Sequence, residues 1–167
     1  MPQVNAERSG QEMKILALSC REAVGVSGEI PVSHVMIRIT DPKNDFPPLQ
    51  DNPKRTAVLE QKFYDLDGDA VMRGWSEEEK EKYGGGCFSN PQAREIVEFI
   101  KLNNPKRIIV HCDAGISRSA GVAAAIAKFL TGSDECIFGN RRYIPNMFVY
   151  RKLLNAFMEV ENVEESQ

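Results

Sequence analysis

The chain of 167 residues reads as an α/β protein with a mainly parallel central sheet flanked by helices. Three observations predict this class. Short β-branched and apolar runs at Lys14–Ser19 (KILALS), His34–Thr40 (HVMIRIT) and Arg107–His111 (RIIVH) have the length of strands covered on both faces. Other segments carry apolar residues three and four apart, the pattern of a helix with one buried face. The two kinds of segment alternate along the chain, the order that joins parallel strands through helical crossovers.

The elements follow in order. Residues 1–12 are a polar tail, expected to be flexible, and Lys14–Ser19 is the first strand. Arg21–Val24 suits a brief helical turn, and His34–Thr40 is the second strand. Asp41–Arg55 contains Pro42, Pro47, Pro48 and Pro53 and is expected to be a loop. A third strand falls within Thr56–Tyr64, around Val58–Phe63. Asp65–Phe88 is polar, with a charged run at Glu77–Lys82 and three glycines at 84–86. A long loop with one helical turn at Ser76–Lys82 is expected there, suited to a lid. Asn90 as cap and Pro91 as first helical residue open a helix whose inward face is Ala93, Ile96, Val97 and Ile100. Asn103-Asn104-Pro105 ends it, and RIIVH follows as a buried strand. Arg118–Leu130 is an Ala-rich helix closed by Gly132. Pro145-Asn146 begins a last helix to about Met158, with Val149, Leu153, Leu154 and Phe157 inward. Residues 159–167 are expected to be a frayed acidic tail, leaving 13–158 as the single domain.

Composition narrows the function. The chain is 42% hydrophobic and 27% charged, with a net charge of −3, as in ordinary globular proteins. No basic tail or face is evident, so a nucleic-acid partner is not expected. No stretch approaches the roughly 20 apolar residues of a membrane span. Met1–Met13 lacks the apolar core of a secretory signal, so a cytoplasmic protein is expected. Cys20, Cys87, Cys112 and Cys136 are widely and irregularly spaced, with no C-x-x-C pair and only two histidines. Free thiols rather than a zinc site or disulfides are expected. Asp65, Asp67, Gly68 and Asp69 have the look of a calcium loop, but Gly74 stands where such a loop needs Glu. No metal is expected.

The chemistry concentrates in His111-Cys112-Asp113-Ala114-Gly115-Ile116-Ser117-Arg118-Ser119, between a buried strand and the Ala-rich helix. A tight loop at a helix N-terminus turns backbone N–H groups toward one point, where the helix dipole adds positive charge. Gly115 supplies the freedom such a turn needs. Arg118 can bind two phosphate oxygens at once. The field that attracts phosphate also favours the thiolate of Cys112, the form that attacks phosphorus. Ser119 can donate a hydrogen bond to that sulfur. His111 suits an orienting role better than direct proton transfer. The alternative, a buried strand-end thiol beside ordinary turn glycines, leaves the coincidence of these features unexplained.

HCDAGISRS resembles the signature H-C-x-x-G-x-x-R-S/T of the cysteine-based protein tyrosine and dual-specificity phosphatases. Across residues 13 to 157 the pattern is similar to a subgroup of small bacterial or phage-type predicted tyrosine phosphatases. These share strands like KILALS and HVMIRIT and an F-x-D element, here Phe63-Tyr64-Asp65. The resemblance implies a tyrosine-phosphatase-like fold of dual-specificity size. It implies hydrolysis of phosphotyrosine, with phosphoserine and phosphothreonine as further candidates, through a phosphocysteine intermediate and without a cofactor. The phosphate-binding loop would be His111, Cys112, Asp113, Ala114, Gly115, Ile116, Ser117 and Arg118, with Cys112, Arg118 and Ser119 catalytic. The general acid would be Asp65, with Asp67 as alternative and Asp69 third. The interval from these acids to Cys112 is long for the family and no W-P-D tripeptide is present, so an insertion at Met72–Phe88 is expected. An acid at 113 argues against highly charged inositides. The expected partner is a phosphorylated protein or peptide, or a small aryl phosphate, met by a monomer. A rhodanese-like sulfurtransferase fits less well, because His111 and Ser119 follow the phosphatase pattern; a phosphobinding module would need the acid to be unusable. Under oxidation Cys87 is the first choice to pair with Cys112, ahead of Cys20 and Cys136.

Overall fold

The computed structural model describes residues 12–165, so the expected flexible segment before Glu12 and the last two residues of the acidic tail lie outside it. Four strands form one sheet: β1 Lys14–Ser19, β2 His34–Thr40, β3 Arg55–Lys62 and β4 Arg107–Cys112. Their order is β1-β4-β2-β3. Every pairing is parallel, so the expected fold class holds. Burial follows position in the sheet. Central β2 is buried at every residue and β4 at all but its first, whereas edge strand β3 alternates. The register aligns Ser19 with Cys112 and Arg38 with His111. The carboxyl ends of β1, β4 and β2 therefore converge, and ligands of open parallel sheets bind at such an end.

The helices are α1 Cys20–Val26, α2 Gly68–Val71, α3 Glu77–Tyr83, α4 Asn90–Asn103, α5 Arg118–Thr131, α6 Glu135–Phe138 and α7 Met147–Glu165. α5 packs on β4 and β1 and against α7, which also packs on α4. Arg118 through Ala127 of α5 are all buried, and its small residues let neighbours come close. A Cβ on Gly121 would lie 2.7 Å from the Asn146 carbonyl oxygen, so the chain entering α7 rests directly on the α5 backbone. Among the described residues no helix is long and apolar enough to cross a membrane.

Several boundaries differ from the sequence reading, four of them by more than a residue or two in what they imply. α4 is capped by Ser89, not Asn90: Ser89 Oγ accepts from Gln92 N at 3.2 Å and Gln92 Oε1 accepts from Ser89 N at 3.0 Å. This reciprocal pair satisfies two amides where a lone Asn satisfies one. β3 runs over Arg55–Lys62 and stops before Asp65, so the three candidate acids lie beyond the strand. The segment after it holds two short helices, each capped by an acceptor side chain (Asp67 for α2, Ser76 for α3), rather than one turn. The last helix continues to Glu165 instead of fraying near Met158. Val160 packs against the core and Glu164 pairs with Lys101 of α4.

Candidate active site

The loop after β4 is shaped from outside. Its carbonyl oxygens are taken by neighbouring elements: Asp113 O accepts from Cys20 N at 3.3 Å, and Ile116 O from Ile144 N at 3.0 Å. Ser117 O accepts from both Gly121 N at 2.9 Å and Asn146 N at 3.0 Å. With the carbonyls turned outward, the amides are left to face the interior of the loop, the arrangement that holds an anion. Gly115 has φ 73°. A Cβ there would sit 2.3 Å from Ser19 N and 2.4 Å from the Leu18 carbonyl carbon. Only glycine fits, both for its backbone conformation and for the closeness of β1.

Cys112 is 2% exposed at the floor of this loop. Its Sγ lies 3.1 Å from Ser119 Oγ and accepts from Gly115 N at 3.3 Å. Ser119 and His111 are fully buried beside it. Arg118, also buried, is fixed on one side of its guanidinium. Nη1 donates to Asp41 Oδ1 and to Phe63 O, each at 2.7 Å, and Nη2 donates to Asp113 Oδ2 at 3.0 Å. Thr40 Oγ1 holds the other oxygen of Asp113 at 3.0 Å. Nε and the second Nη2 hydrogen of Arg118 take no hydrogen bond to a described residue. Two donors of the fork thus remain for a ligand.

The three candidate acids separate cleanly. Asp65 meets the loop: its Oδ1 accepts from Ser117 Oγ at 2.8 Å and from Asn146 Nδ2 at 2.8 Å. Asn146 Nδ2 also donates to Leu66 O at 3.1 Å, fixing the backbone next to the acid. Ser117 stands at the N-cap of α5 yet makes no capping bond, because its hydroxyl serves Asp65 instead. Asp67 is occupied as the cap of α2, with Oδ1 accepting from Asp69 N and Ala70 N. Asp69 faces Arg151 of α7 at 3.7 Å.

His111 is held between two groups. Arg38 Nε donates to its Nε2 at 3.0 Å, and its Nδ1 is 3.4 Å from Cys112 O. Burial first, and then the Arg38 charge, push its pKa down from 6.5 to about 4. The remaining thiols are free. Cys20, which opens α1 beside the loop, is the one whose charge is coupled to Cys112; burial pushes its pKa up and Arg38 pulls it down. Cys87 is buried in the core, where the nearby charge is Lys152. The preference for Cys87 as a partner of Cys112 does not follow from this geometry. Among the described residues no cluster of His, Cys, Asp or Glu forms a metal site.

The sequence reading missed Asp41, Thr40, Asn146 and Arg38. Thr40 ends β2 and Asp41 follows it, Arg38 lies within β2, and Asn146 precedes α7. Their positions at the carboxyl end of a strand and ahead of a helix are the only local signs of a role.

A parallel sheet that feeds a Cys-x5-Arg loop into a helix N-terminus is the fold of the cysteine-based tyrosine and dual-specificity phosphatases. The chain is similar to PTPMT1 in complex with PI(5)P over 90% of its own length and 94% of that chain, with TM-score 0.50 and 15% identity. It is similar to human DUSP28 over 89% and 94%, with TM-score 0.48 and 17% identity. Similarity to Tk-PTP in its active form covers 86% and 93%, with TM-score 0.47 and 18% identity. At these identities the likeness is one of fold. No protein-family model and no curated protein matches the chain.

Proposed function

We propose that the chain is a phosphomonoester hydrolase that acts on phosphotyrosine through a phosphocysteine intermediate. The observation that carries this reading is the meeting of three groups on one loop. The Cys112 sulfur accepts from Gly115 N, Arg118 keeps two donors free, and Asp65 is bonded to Ser117. The inward amides and Arg118 bind the phosphoryl oxygens and take up the charge that builds on them in the transition state. Cys112 thiolate attacks phosphorus in line as the bond to the ester oxygen breaks. Asp65 in its acid form protonates the leaving oxygen through Oδ2, the carboxylate oxygen without a donor from the described residues. Asp65, now a carboxylate, takes a proton from water as it attacks the phosphocysteine, and phosphate leaves. Ser119 donates to the departing thiolate.

Asp113 and Asp41 set the substrate class. Two carboxylates beside Arg118 oppose ligands carrying several phosphates, which favours a single phosphate on a protein, peptide or small aryl group. Phosphoserine and phosphothreonine are the further candidates, and neither metal nor cofactor is required.

The test is hydrolysis of para-nitrophenyl phosphate in the presence of a chelator. Wild type should turn over, Cys112→Ser should not, and Asp65→Asn should lose about 10²–10⁴-fold in kcat, the usual worth of a general acid. Undiminished activity of Cys112→Ser would sink the mechanism, and undiminished activity of Asp65→Asn would remove Asp65 from it.

A further inference from the structure

We infer that Arg38 is a positioning residue for the nucleophile: it fixes His111 as the neutral Nδ1–H tautomer, which holds the Cys112 carbonyl turned out of the phosphate loop. The inference rests on the reading of Cys112 as the nucleophile. Arg38 lies on central strand β2, directly opposite His111 on β4, and is 4% exposed. A guanidinium buried within a sheet is costly unless its donors are used. Here Nη1 reaches Glu60 Oε2 at 3.2 Å and Nη2 reaches Pro47 O at 2.5 Å. The Phe46 ring stacks at 5.0 Å and also meets His111 edge-on at 6.5 Å. The remaining bond, Nε to His111 Nε2, is the one that points to the loop.

The tautomer follows from donor and acceptor chemistry. Guanidinium nitrogens donate and never accept, so Nε2 presents its lone pair to Arg38. A neutral imidazole then carries its single proton on Nδ1, which lies beside Cys112 O. The opposite tautomer would set two N–H groups against each other at 3.0 Å and turn a lone pair toward the Cys112 carbonyl. The same clash, with burial, resists protonation of the ring. With Nδ1–H as its partner, the Cys112 carbonyl dipole points away from the loop centre. It thereby joins the carbonyls of Asp113, Ile116 and Ser117, which are held outward by Cys20, Ile144 and Asn146.

The charged and titratable groups facing this pair are few. Glu60 and Arg55 act on Arg38 from β3, Cys20 acts on it from α1, and Asp113 acts on His111 from the loop. Arg38 provides an internal comparison with Arg55 on β3. Arg55 also braces the chain before β3, through Ser27 O at 3.1 Å and Gln50 O at 2.7 Å, but makes no bond to His111.

The first test needs no variant. Long-range ¹⁵N–¹H NMR of wild type should show His111 protonated at Nδ1 and bare at Nε2 from pH 5 to 8. A proton on Nε2 overturns the inference. The second test compares Arg38→Met with Arg55→Met. Arg38→Met should lower kcat on para-nitrophenyl phosphate about tenfold or more, with KM little changed, and move the pH profile of iodoacetate alkylation to the alkaline side. Arg55→Met should move neither. Equal effects in the two variants would reduce Arg38 to a structural brace and overturn the inference, as would a wild-type profile in Arg38→Met. If Arg38→Met does not fold, the wild-type tautomer decides alone. Tautomer and alkylation are read without turnover, so a wild type inert toward phosphate esters would defeat the proposed activity and leave this test standing.

Discussion

Loop 111–118 and segment 65–88 contribute the two halves of the site, and they are held in opposite ways. The loop is bonded from outside by α1, by the chain entering α7 and by α5 itself, and His111, Cys112, Gly115 and Arg118 are buried. Segment 65–88 is largely exposed, α3 buries no residue, and among the described residues the Asp65 side chain is tethered by Ser117 and Asn146, which belong to other elements. An electrostatic cradle is useful only if it is organised before the substrate arrives. A proton donor must let a leaving group come and go, which looser attachment permits. The comparison teaches that the position of Cys112, the proposed nucleophile, is a property of the sheet, whereas the position of Asp65, the proposed acid, is a property of two side chains.

The largest effect should come from the organised half. Arg118→Lys keeps the charge but loses the fork that serves Asp41, Phe63 O and Asp113 while leaving donors free. It should cut kcat roughly 10²–10³-fold in steady-state assays. The next test compares two glycines with positive φ. Gly115→Ala forces a Cβ into the β1 backbone and should cost roughly 3 kcal/mol or more in urea unfolding. Gly74→Ala, with φ 84° and open space around it, should cost only about 1–2 kcal/mol. Equal costs would erase the distinction between the regions.

A pH titration of stability reads the buried imidazole. His111 has a folded pKa of about 4 against 6.5, so between those values the unfolded chain binds more protons. The stabilisation is complete above pH 6.5 and is lost as pH falls toward 4, by an amount on the order of 3 kcal/mol. Denaturant midpoints of wild type and His111→Gln should diverge in that window and run parallel above it. Asn146→Ala should lower kcat about tenfold by releasing Asp65, with stability reduced by about 1 kcal/mol through the lost bond to Val149 N. Smallest is Asp67→Ala: removing the cap of four-residue α2 should leave kcat within about twofold and cost at most about 1 kcal/mol.

The parts of the molecule legible in the sequence are those written locally. KILALS and HVMIRIT coincide with β1 and β2 because each holds a short apolar, strand-length run, which central β2 buries at every residue and edge strand β1 only in part. The tight turn after β4 was legible because Gly115, between Cys112 and Arg118, is a residue that such a turn needs. Ser89 was missed in favour of Asn90 because both are good caps, and the deciding partner, Gln92, lies three residues on. The continuation of α7 past Met158 was illegible because it depends on Lys101, far away in the chain. The same holds for Asp41, Asn146 and Arg38: each is an ordinary polar residue until the sheet brings Arg118, Asp65 or His111 to it. That Asp65 rather than Asp67 meets the loop rests on Ser117 and Asn146, contacts that no local pattern in the sequence specifies.

The pairing of β1 with β4 sets residue 14 beside residue 107, and the Gly115 turn presses on the end of β1. The chain must therefore close a very long loop before the proposed phosphate cradle can exist. Closure of that kind is entropically slow, and parallel sheets with distant partners sit at the slow end of folding rates. Intermediates with α4, α5 and α7 already helical would lack a finished cradle. Regain of phosphate binding after dilution from denaturant would then trail the recovery of helical signal, and so serve as a clock for the last strand to join.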